Sequence, residues 1–285
     1  MKVSFIVLVA LVLSWNLLVV YVDDRLEKNN YEDVYSSCDK IWTSRGTYTD
    51  FAKRNTVESM QKAFADGAIG VEFDFHYDVQ MNRFIVAHNY PKKDANGKLE
   101  YEKKNNGKLL TMEDFFTLLE DKTHYYWLDF KNLDKLSTQD TQDAIQRLLE
   151  VTKQNNLRQR VYIEGSNPLK LSLYTDAGLK TLLGMHPLND NSLFAAIAAD
   201  AFKVVYHFMN ISALAMAYGE VDNPDYGKKT EEGFKNIPIF LFHLPHERAI
   251  LEKVVRKKNV RVVLKESLPS QLIKEKVLDI DSCKK

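Results

Sequence analysis

Two short stretches of the chain decide its fold: residues 69–76 read Ile-Gly-Val-Glu-Phe-Asp-Phe-His, and residues 125–131 read Tyr-Tyr-Trp-Leu-Asp-Phe-Lys. Both are apolar runs rich in aromatic and β-branched residues, which is the pattern of buried β-strands. Successive side chains of a strand point to opposite faces, so Glu72 and Asp74 share one face of the first strand. In the second strand Asp129 also lies near the C-terminal end. The two stretches therefore predict buried strands with acidic C-terminal halves.

Six further stretches have the same character, and longer amphipathic segments separate most of them. The predicted strands of this set are Ile41–Ser44, Val161–Glu164, Leu179–Gly184, Lys203–Tyr206, Pro238–His243 and Arg261–Leu264. The predicted helices, with apolar residues three and four positions apart, are Thr56–Ala65, Met112–Leu119, Gln139–Gln154, Ser192–Ala199, Glu247–Val255 and Gln271–Val277. Eight strands alternating with helices predict an α/β fold, a closed (β/α)8 barrel of the TIM type. An open, doubly wound sheet is the main alternative, although no glycine-rich turn follows the first strand to support a dinucleotide fold.

One additional strand, Phe84–Ala87, follows its predecessor too closely for a parallel crossover, so we expect a short antiparallel hairpin on the rim of the barrel. After it, residues 90–108 form a polar stretch that we interpret as a flap. Its six lysines outnumber its three acidic residues. They would attract anionic headgroups, or they belong to a solvated loop.

Length and charge limit the possible functions. The 285 residues suffice for one large domain, and Lys plus Arg equals Asp plus Glu at 39 each. The balanced charge gives no sign of a nucleic-acid-binding protein. We divide the chain into an N-terminal apolar segment (1–22), a polar linker (23–39) and the barrel (40–285).

The N-terminal segment predicts a membrane helix. After Met1 and Lys2, an apolar run extends from Val3 to Val22, and twenty helical residues span about 30 Å, the thickness of a bilayer core. A cleaved signal peptide would have a shorter core followed by small residues. The run instead continues directly into Asp23, which favours a signal anchor. A signal peptide and a buried core helix are the alternatives. A cation on the short N-terminal side would leave the barrel on the extracytoplasmic side, membrane-anchored or secreted.

The two cysteines, Cys38 and Cys283, flank the globular region. Neither has a metal-ligand spacing, so a zinc site is not indicated. The ends of a closed barrel lie near one another, and disulfides persist outside the cytoplasm. We therefore predict a disulfide between them, with two unrelated thiols as the alternative.

The histidines test the barrel prediction, because ligands bind at the C-terminal ends of barrel strands. Five of the seven fall at or just beyond predicted strand ends or end the hairpin; these are His76, His88, His186, His207 and His243. Each taken alone is more often a hydrogen-bonded rim residue than a catalyst, but the clustering points to a site on that face.

The acidic residues suggest what the site binds. Adjacent strands lie about 4.8 Å apart, so Glu72, Asp74 and Asp129 would converge in the barrel mouth. Buried carboxylates require neutralisation, and a divalent cation with oxygen ligands, Mg²⁺ or Ca²⁺, would supply it. The alternative is a salt bridge from Lys131 to Asp129 or Glu72.

A series of short motifs resembles the glycerophosphodiester phosphodiesterase family. In chain order they are Ser44-Arg45-Gly46, Asn55-Thr56, Val71-Glu72-Phe73-Asp74-Phe75-His76, Val86-Ala87-His88-Asn89, Leu110-Thr111-Met112-Glu113 and Trp127-Leu128-Asp129-Phe130-Lys131. The family pattern reads His-Arg-Gly, Glu-Asn-Thr, Glu-Leu-Asp-Val and His-Asp at similar spacings. The match covers Trp42 to about Ser166 and weakens beyond it.

The resemblance implies a barrel that hydrolyses phosphodiesters with one divalent metal ion and two histidines. Carried over position by position, the metal ligands are Glu72, Asp74 and Asp129. Arg45 and Lys131 would hold phosphate oxygens and stabilise transition-state charge.

The remaining roles implied by the resemblance concern the acid and the substrate. His88 would be the general acid for the leaving alcohol. Asn55 would position the rim or contact the substrate, and we place Ser44 in the same substrate-binding group. Glycerophosphodiesters, lysophospholipids and intact phospholipids are the candidate substrates.

Ser44 is the main departure, because the family has its other catalytic histidine there. A serine hydroxyl does not accept a proton near pH 7. Either another rim histidine, His76 or His243, takes the role, or activity is much reduced, or the barrel has become a non-catalytic module that binds a phosphoester or lipid. We expect metal-dependent phosphodiester hydrolysis in lipid metabolism, weakened or altered, with the binding module as the alternative.

Overall fold

A computed structural model describes residues 2–29, 34–95, 97–186, 192–218, 233–245 and 247–266. The strands are β1 Ile41–Ser44, β2 Gly70–Asp78, β3 Arg83–Val86, β4 Lys92–Lys93, β5 Leu99–Glu100, β6 Tyr125–Phe130, β7 Val161–Gly165, β8 Lys180–Met185, β9 Ala213–Ala217, β10 Ile239–Phe242 and β11 Val260–Glu266. The helices are α1 Lys2–Lys28, α2 Val57–Ala65, α3 Met112–Leu119, α4 Thr138–Gln154, α5 Pro168–Asp176, α6 Ser192–Phe208 and α7 Arg248–Val255.

Eight of the strands form a closed parallel barrel. They follow the order β1, β11, β10, β9, β8, β7, β6 and β2, and β1 also pairs with β2 to close the ring. Because the pairing of β1 with β2 joins the two ends of this order, each of the eight strands has a parallel partner on both sides; the open doubly wound sheet is excluded and the TIM-type barrel is confirmed.

The loops leading into the helices end in side chains that cap them. Thr56 and Ser59 form a reciprocal capping box at the start of α2, and Ser137 and Asp140 do the same for α4. Each cap satisfies backbone N–H groups that the first helical turn leaves without partners, and is worth about 1 kcal/mol. The two caps therefore fix the residues at which α2 and α4 begin.

The barrel interior has an aromatic core. Trp42, Trp127, Tyr162 and Phe240 are fully buried and pack together inside the strands. The charged face of β2 lies towards the C-terminal ends of the strands, beside this core. The aromatic core shields the side chains of that face from water, and this burial by itself raises the pKa values of their carboxyl groups.

The sixth barrel strand differs from the prediction. Residues 203–206, predicted as a strand from their Val-Val-Tyr run, lie within α6, and the strand is β9, Ala213–Ala217. Tyr206 and Ala199 face the core from α6, so the β-branched run belongs to a helical face. Ala213 and Ala215 leave room for the interior aromatic rings, and so β9 lacks the bulky residues by which strands are recognised.

This difference also relocates His207. It lies in the last turn of α6, where its ring contacts Tyr21 at 5.9 Å, and not at the end of a strand on the rim. The predicted rim hairpin is confirmed, since β3 pairs antiparallel with β2. The flap contains the short hairpin of β4 and β5. The predicted helix at 271–277 lies outside the described residues.

The N-terminal helix α1 is longer than the apolar run, because it includes residues 23–28 of the predicted linker. Ile6–Lys28 is long and apolar enough to cross a bilayer, with a mean hydropathy of 2.2 over an 18-residue window, a character that membrane anchors, signal sequences and some core helices share. Its C-terminal half packs against α6, where Val22 and Leu26 are buried in the main core and Asp23 pairs with Lys203 at 3.0 Å.

Only one of the two cysteines predicted to form a disulfide lies within the described residues. Cys38 is disulfide-bonded, whereas Cys283 lies outside the described residues, so the pairing of these two cysteines stays a prediction.

Candidate active site

Three carboxylates converge at the mouth of the barrel, as the strand alternation predicted. Asp74 on β2 is the register partner of Asp129 on β6, and Glu72 lies two residues before Asp74 on the same face. One oxygen from each of the three lies within 4.8 Å of the others. Glu72 and Asp74 are buried, and Asp129 is partly buried. Three oxygen donors at this separation could hold a cation.

Asp74 is the most heavily bonded of the three. Its Oδ2 accepts hydrogen bonds from Arg45 Nε at 2.9 Å and Asn55 Nδ2 at 2.7 Å. Its Oδ1 lies 2.8 Å from Lys131 Nζ and 3.3 Å from His88 Nδ1. Burial alone would raise the pKa of Asp74, but the hydrogen bond from His88 and the charges of Lys131 and Arg45 hold it well below its usual range. Asp74 is therefore ionised.

Glu72 has the opposite environment. Its Oε2 accepts a hydrogen bond from Ser44 Oγ at 2.8 Å. Burial, followed by repulsion from Asp74, raises the pKa of Glu72 to about 8. The negative charge of Glu72 is thus poorly compensated by the residues around it.

Glu164 is a site residue that the motif comparison missed. Glu164 lies on β7 and is the register partner of Asp129 on the neighbouring strand β6. Its Oε2 accepts a hydrogen bond from Trp127 Nε1 at 2.6 Å. Burial and then the charge of Asp129 raise the pKa of Glu164 well above its usual value. The sequence places Glu164 at the end of a predicted strand, but its approach to Asp129 depends on the register between β6 and β7.

The carboxylates of this cluster outnumber its cations. Lys131 bridges Asp129 at 2.5 Å and Asp74 at 2.8 Å, so the predicted lysine salt bridge forms to Asp129, with Asp74 as its second partner. Among the described residues, two permanent cations, Arg45 and Lys131, lie in or beside the cavity with five carboxylates, those of Glu72, Asp74, Asp129, Glu164 and Glu266. Burial, the largest effect, raises the pKa of Asp129 even beside the lysine. A divalent cation with oxygen ligands fits this excess of negative charge.

The turn after β1 aims Arg45 at Asp74. Arg45 has a φ of 57° and Gly46 a φ of 80°, both in the left-handed region. A Cβ on Gly46 would lie 2.6 Å from atoms of Ser59, so only glycine fits. The Arg45 N–H donates to the carbonyl of Glu72 at 2.8 Å, which fixes the turn against β2.

The two residues predicted to contact substrate, Asn55 and Ser44, form hydrogen bonds to carboxylates of the site. Asn55 is fully buried, and both ends of its amide bond to Asp74, since Asn55 Oδ1 accepts from the Asp74 N–H at 3.3 Å. This arrangement favours the positioning role over substrate contact. The Ser44 hydroxyl is occupied by Glu72.

The histidines of the rim lie in different environments. His88 is partly exposed beside Asp74. His76 is fully buried under the flap, against the rings of Tyr90 and Tyr101, and burial lowers its pKa to about 4. His243 is exposed and follows β10. His186, after β8, lines a neighbouring cavity with Asp129 and Glu164.

A cavity of about 170 Å³ opens above the carboxylates. It is lined by Ser44, Arg45, Glu72, Trp127, Asp129, Lys131, Glu164, Phe242, His243, Leu264 and Glu266. Its polar floor and aromatic side wall form a small pocket of the kind that binds compact polar ligands.

The flap is attached to this cavity by Tyr90. Its hydroxyl donates a hydrogen bond to the backbone carbonyl of Lys131 at 2.5 Å, and Lys135 Nζ lies 3.5 Å from the centre of its ring. The ring also packs edge-on against His76. Tyr90 thus joins the flap to the strand end that carries two site residues.

No protein-family model and no curated protein matches the chain. Solved structures with the same fold do match. One is a glycerophosphodiester phosphodiesterase from Parabacteroides distasonis, with a TM-score of 0.57 and 16% identity over 84% of this chain and 96% of that one. Another is a phosphodiesterase from Oleispira antarctica in complex with the product sn-glycerol-3-phosphate, with a TM-score of 0.57 and 12% identity over 84% and 96% of the two chains.

Proposed function

We propose that this protein hydrolyses phosphodiesters, of the glycerophosphodiester or lysophospholipid type, with one bound divalent cation, Mg²⁺ or Ca²⁺. The observation that carries the proposal is the cluster of Glu72, Asp74 and Asp129 beside two fixed cations in one small cavity. The sequence motifs and the product named for the Oleispira antarctica structure support the same reaction.

Each residue of the cluster has a defined task in this proposal. Glu72, Asp74 and Asp129 would hold the divalent cation. When bound, the cation would polarise a phosphoryl oxygen and offset the charge that develops on it. Arg45 and Lys131, held in place by Asp74, would bind the other phosphate oxygens and stabilise charge in the transition state.

His88 would act as the general acid. Its Nδ1 faces Asp74 at 3.3 Å, so Nε2 is the ring nitrogen left to donate a proton to the leaving alcohol. Asp74 is ionised and would hold the imidazole in the required orientation. Asn55 and Ser44 would act mainly by orienting Asp74 and Glu72.

The substrate class follows from where the barrel is held. We propose that α1 is a membrane anchor and that the barrel lies on the extracytoplasmic side, close to lipid headgroups. The lysines of the flap add positive charge beside the mouth, which would attract anionic esters. A role in lipid metabolism is the corresponding physiological proposal.

The test is hydrolysis of a glycerophosphodiester by the full chain in detergent, followed as release of glycerol phosphate. Turnover should be abolished by a chelator and restored by Mg²⁺ or Ca²⁺. Asp129→Asn should lower the rate by about 100-fold or more, because it removes a proposed ligand. Asp134→Asn, at an exposed residue in the loop after β6, is the matched control and should keep the wild-type rate. Wild-type turnover that is unaffected by chelation would reject the metal-dependent reaction.

A second candidate function is a non-catalytic module that binds a phosphoester or lipid. Ser44 favours it, because the hydroxyl at the position of the family's histidine is bonded to Glu72. Binding of sn-glycerol 3-phosphate by calorimetry, together with no turnover of any phosphodiester, would support the module.

A further inference from the structure

The proposed reaction lacks a proton acceptor at the position where the family has one. An attacking water must lose a proton as it bonds to phosphorus, and a nearby base accelerates this step by about 10²–10⁴-fold. Ser44 does not fill that role, because its hydroxyl donates to Glu72 and is a poor base. If the site is catalytic, another side chain must accept the proton.

Two other rim histidines are badly placed for this role. His76 is fully buried beneath the flap and is not among the residues that line the cavity above the carboxylates. His186 lines the neighbouring cavity and not this one. The cavity above Ser44 and Glu72 is thus lined by neither imidazole, although the cavity of His186 adjoins it at Asp129 and Glu164.

His243 has the required position. It follows β10 directly and lines the same cavity as Ser44, Glu72 and Asp129. Around the barrel, β10 is separated from β2 by β11 and β1, so His243 stands across the mouth from Asp74 and its neighbour His88. It is exposed, so it can return its proton to bulk water.

The backbone at His243 supports a functional reason for this position. Its φ of 54° places a non-glycine residue in the left-handed region, as at Arg45 and Asn55 in the same rim. Such a conformation costs about 1 kcal/mol or more and is concentrated at functional sites. The turn directs His243 over the strand ends.

We propose that His243 is the general base of this enzyme and replaces the histidine that Ser44 has displaced. The inference rests on the proposed function. His243 accepts a proton from water as the water oxygen bonds to phosphorus, the bond from phosphorus to the leaving oxygen breaks, and His88 protonates that oxygen. Acid and base on opposite sides of the mouth suit a displacement in which the attacking and leaving oxygens lie in line.

The test uses the full chain and one generic phosphodiester. His243→Gln should lower kcat by about 10²–10⁴-fold, with KM changed by less than about threefold, because the base acts only in the transition state. The limb of the pH profile that rises with pH should disappear. His207→Gln, a histidine in α6 away from the mouth, is the matched control and should keep wild-type kinetics.

Rescue separates a base from a structural role. Ser44→His in the His243→Gln background should recover about tenfold or more of the lost rate, because it returns an imidazole to the position of the family's histidine. Wild-type kcat in His243→Gln would overturn the inference. Glu266, the register neighbour of Ser44, is the other candidate base in this cavity, so a fall in kcat in Glu266→Gln but not in His243→Gln would also overturn it. Absence of turnover in every protein, wild type included, would reject the proposed function itself.

Discussion

At the scale of single residues, charge determines what each carboxylate of the barrel can do. Asp74 is surrounded by Arg45, Asn55, Lys131 and His88 and is held ionised, whereas Glu72 receives one hydroxyl and resists ionisation. Two carboxylates on one face of β2 thus differ, because one is a fixed anion whereas burial and repulsion oppose the ionisation of the other. The difference follows from the neighbours that the turn after β1 brings to β2.

A second acidic residue, Asp121, allows a test of this electrostatic reasoning away from the site. It accepts hydrogen bonds from Tyr126 Oη at 2.7 Å and Arg160 Nη1 at 3.0 Å, and it lies beside His124 Nδ1. Burial would raise the pKa of Asp121, but the hydrogen bonds from His124 and Tyr126 lower it to about 2. The ionised residue therefore stabilises the folded chain.

We expect Asp121 to contribute about 1–2 kcal/mol to the free energy of unfolding above pH 4, its ordinary pKa range. Because its folded pKa is depressed, this contribution should disappear as the pH falls from about 4 to about 2. Asp121→Asn should be less stable at pH 7 and should lose less stability than wild type over that interval. Urea unfolding at several pH values measures both effects, and parallel curves for the two proteins would contradict the assignment.

At the scale of elements, most of the barrel could be predicted from the sequence, and the exceptions have physical causes. The run Ile41–Ser44 matches β1 and Met112–Leu119 matches α3, because their apolar spacing is unambiguous. β9 could not be recognised from its sequence, because the interior aromatic rings leave room only for small residues such as alanine on this strand. The convergence of the three carboxylates was predictable from strand alternation. Glu164 was not assigned because its role depends on register with β6, which only the folded sheet defines.

The flap is joined to the end of β6 by the hydrogen bond from the Tyr90 hydroxyl to the carbonyl of Lys131. Tyr90→Phe removes the hydrogen bond to the carbonyl of Lys131 but keeps the ring over His76 and under Lys135. We expect a three- to tenfold increase in KM, roughly the loss of one hydrogen bond of about 1 kcal/mol, with a smaller change in kcat. Steady-state kinetics with the generic phosphodiester measures this ratio. An unchanged KM would show that the flap is held by other contacts.

At the scale of the whole molecule, α1 is part of the folded domain as well as a candidate anchor. Its outer half is exposed and apolar, while its C-terminal turns pack on α6 and extend into the main core. A free tether would make no such contacts. The barrel is therefore held firmly to the helix that would enter the bilayer.

Two valines of α1 make this testable. Val22 is fully buried and Val20 is 66% exposed. Val22→Ala should lower the free energy of unfolding by about 2 kcal/mol through lost burial and the cavity left behind, whereas Val20→Ala should change it little. Denaturant unfolding of the full chain in detergent compares the two. Equal effects would mean that α1 does not pack on the barrel in solution.

The predicted disulfide between Cys38 and Cys283 would close a loop around nearly the whole domain. The chain-entropy account of such a loop gives a stabilisation of about 5 kcal/mol as an upper figure. Mass spectrometry of non-reduced peptides from exported protein should find the two cysteine peptides joined. Free thiols at both positions would contradict the prediction and argue against export.

The most direct test of the account is calorimetric titration of Mg²⁺, and then Ca²⁺, into the full chain and its Glu72→Gln variant. Glutamine keeps an acceptor for the Ser44 hydroxyl and removes a buried charge, so the variant should be at least as stable as wild type. We predict one binding site in the wild-type protein and none in the variant, with thermal unfolding as the control for folding. Equal binding by the two proteins, or no binding by a folded wild type, would contradict a metal site at Glu72, Asp74 and Asp129.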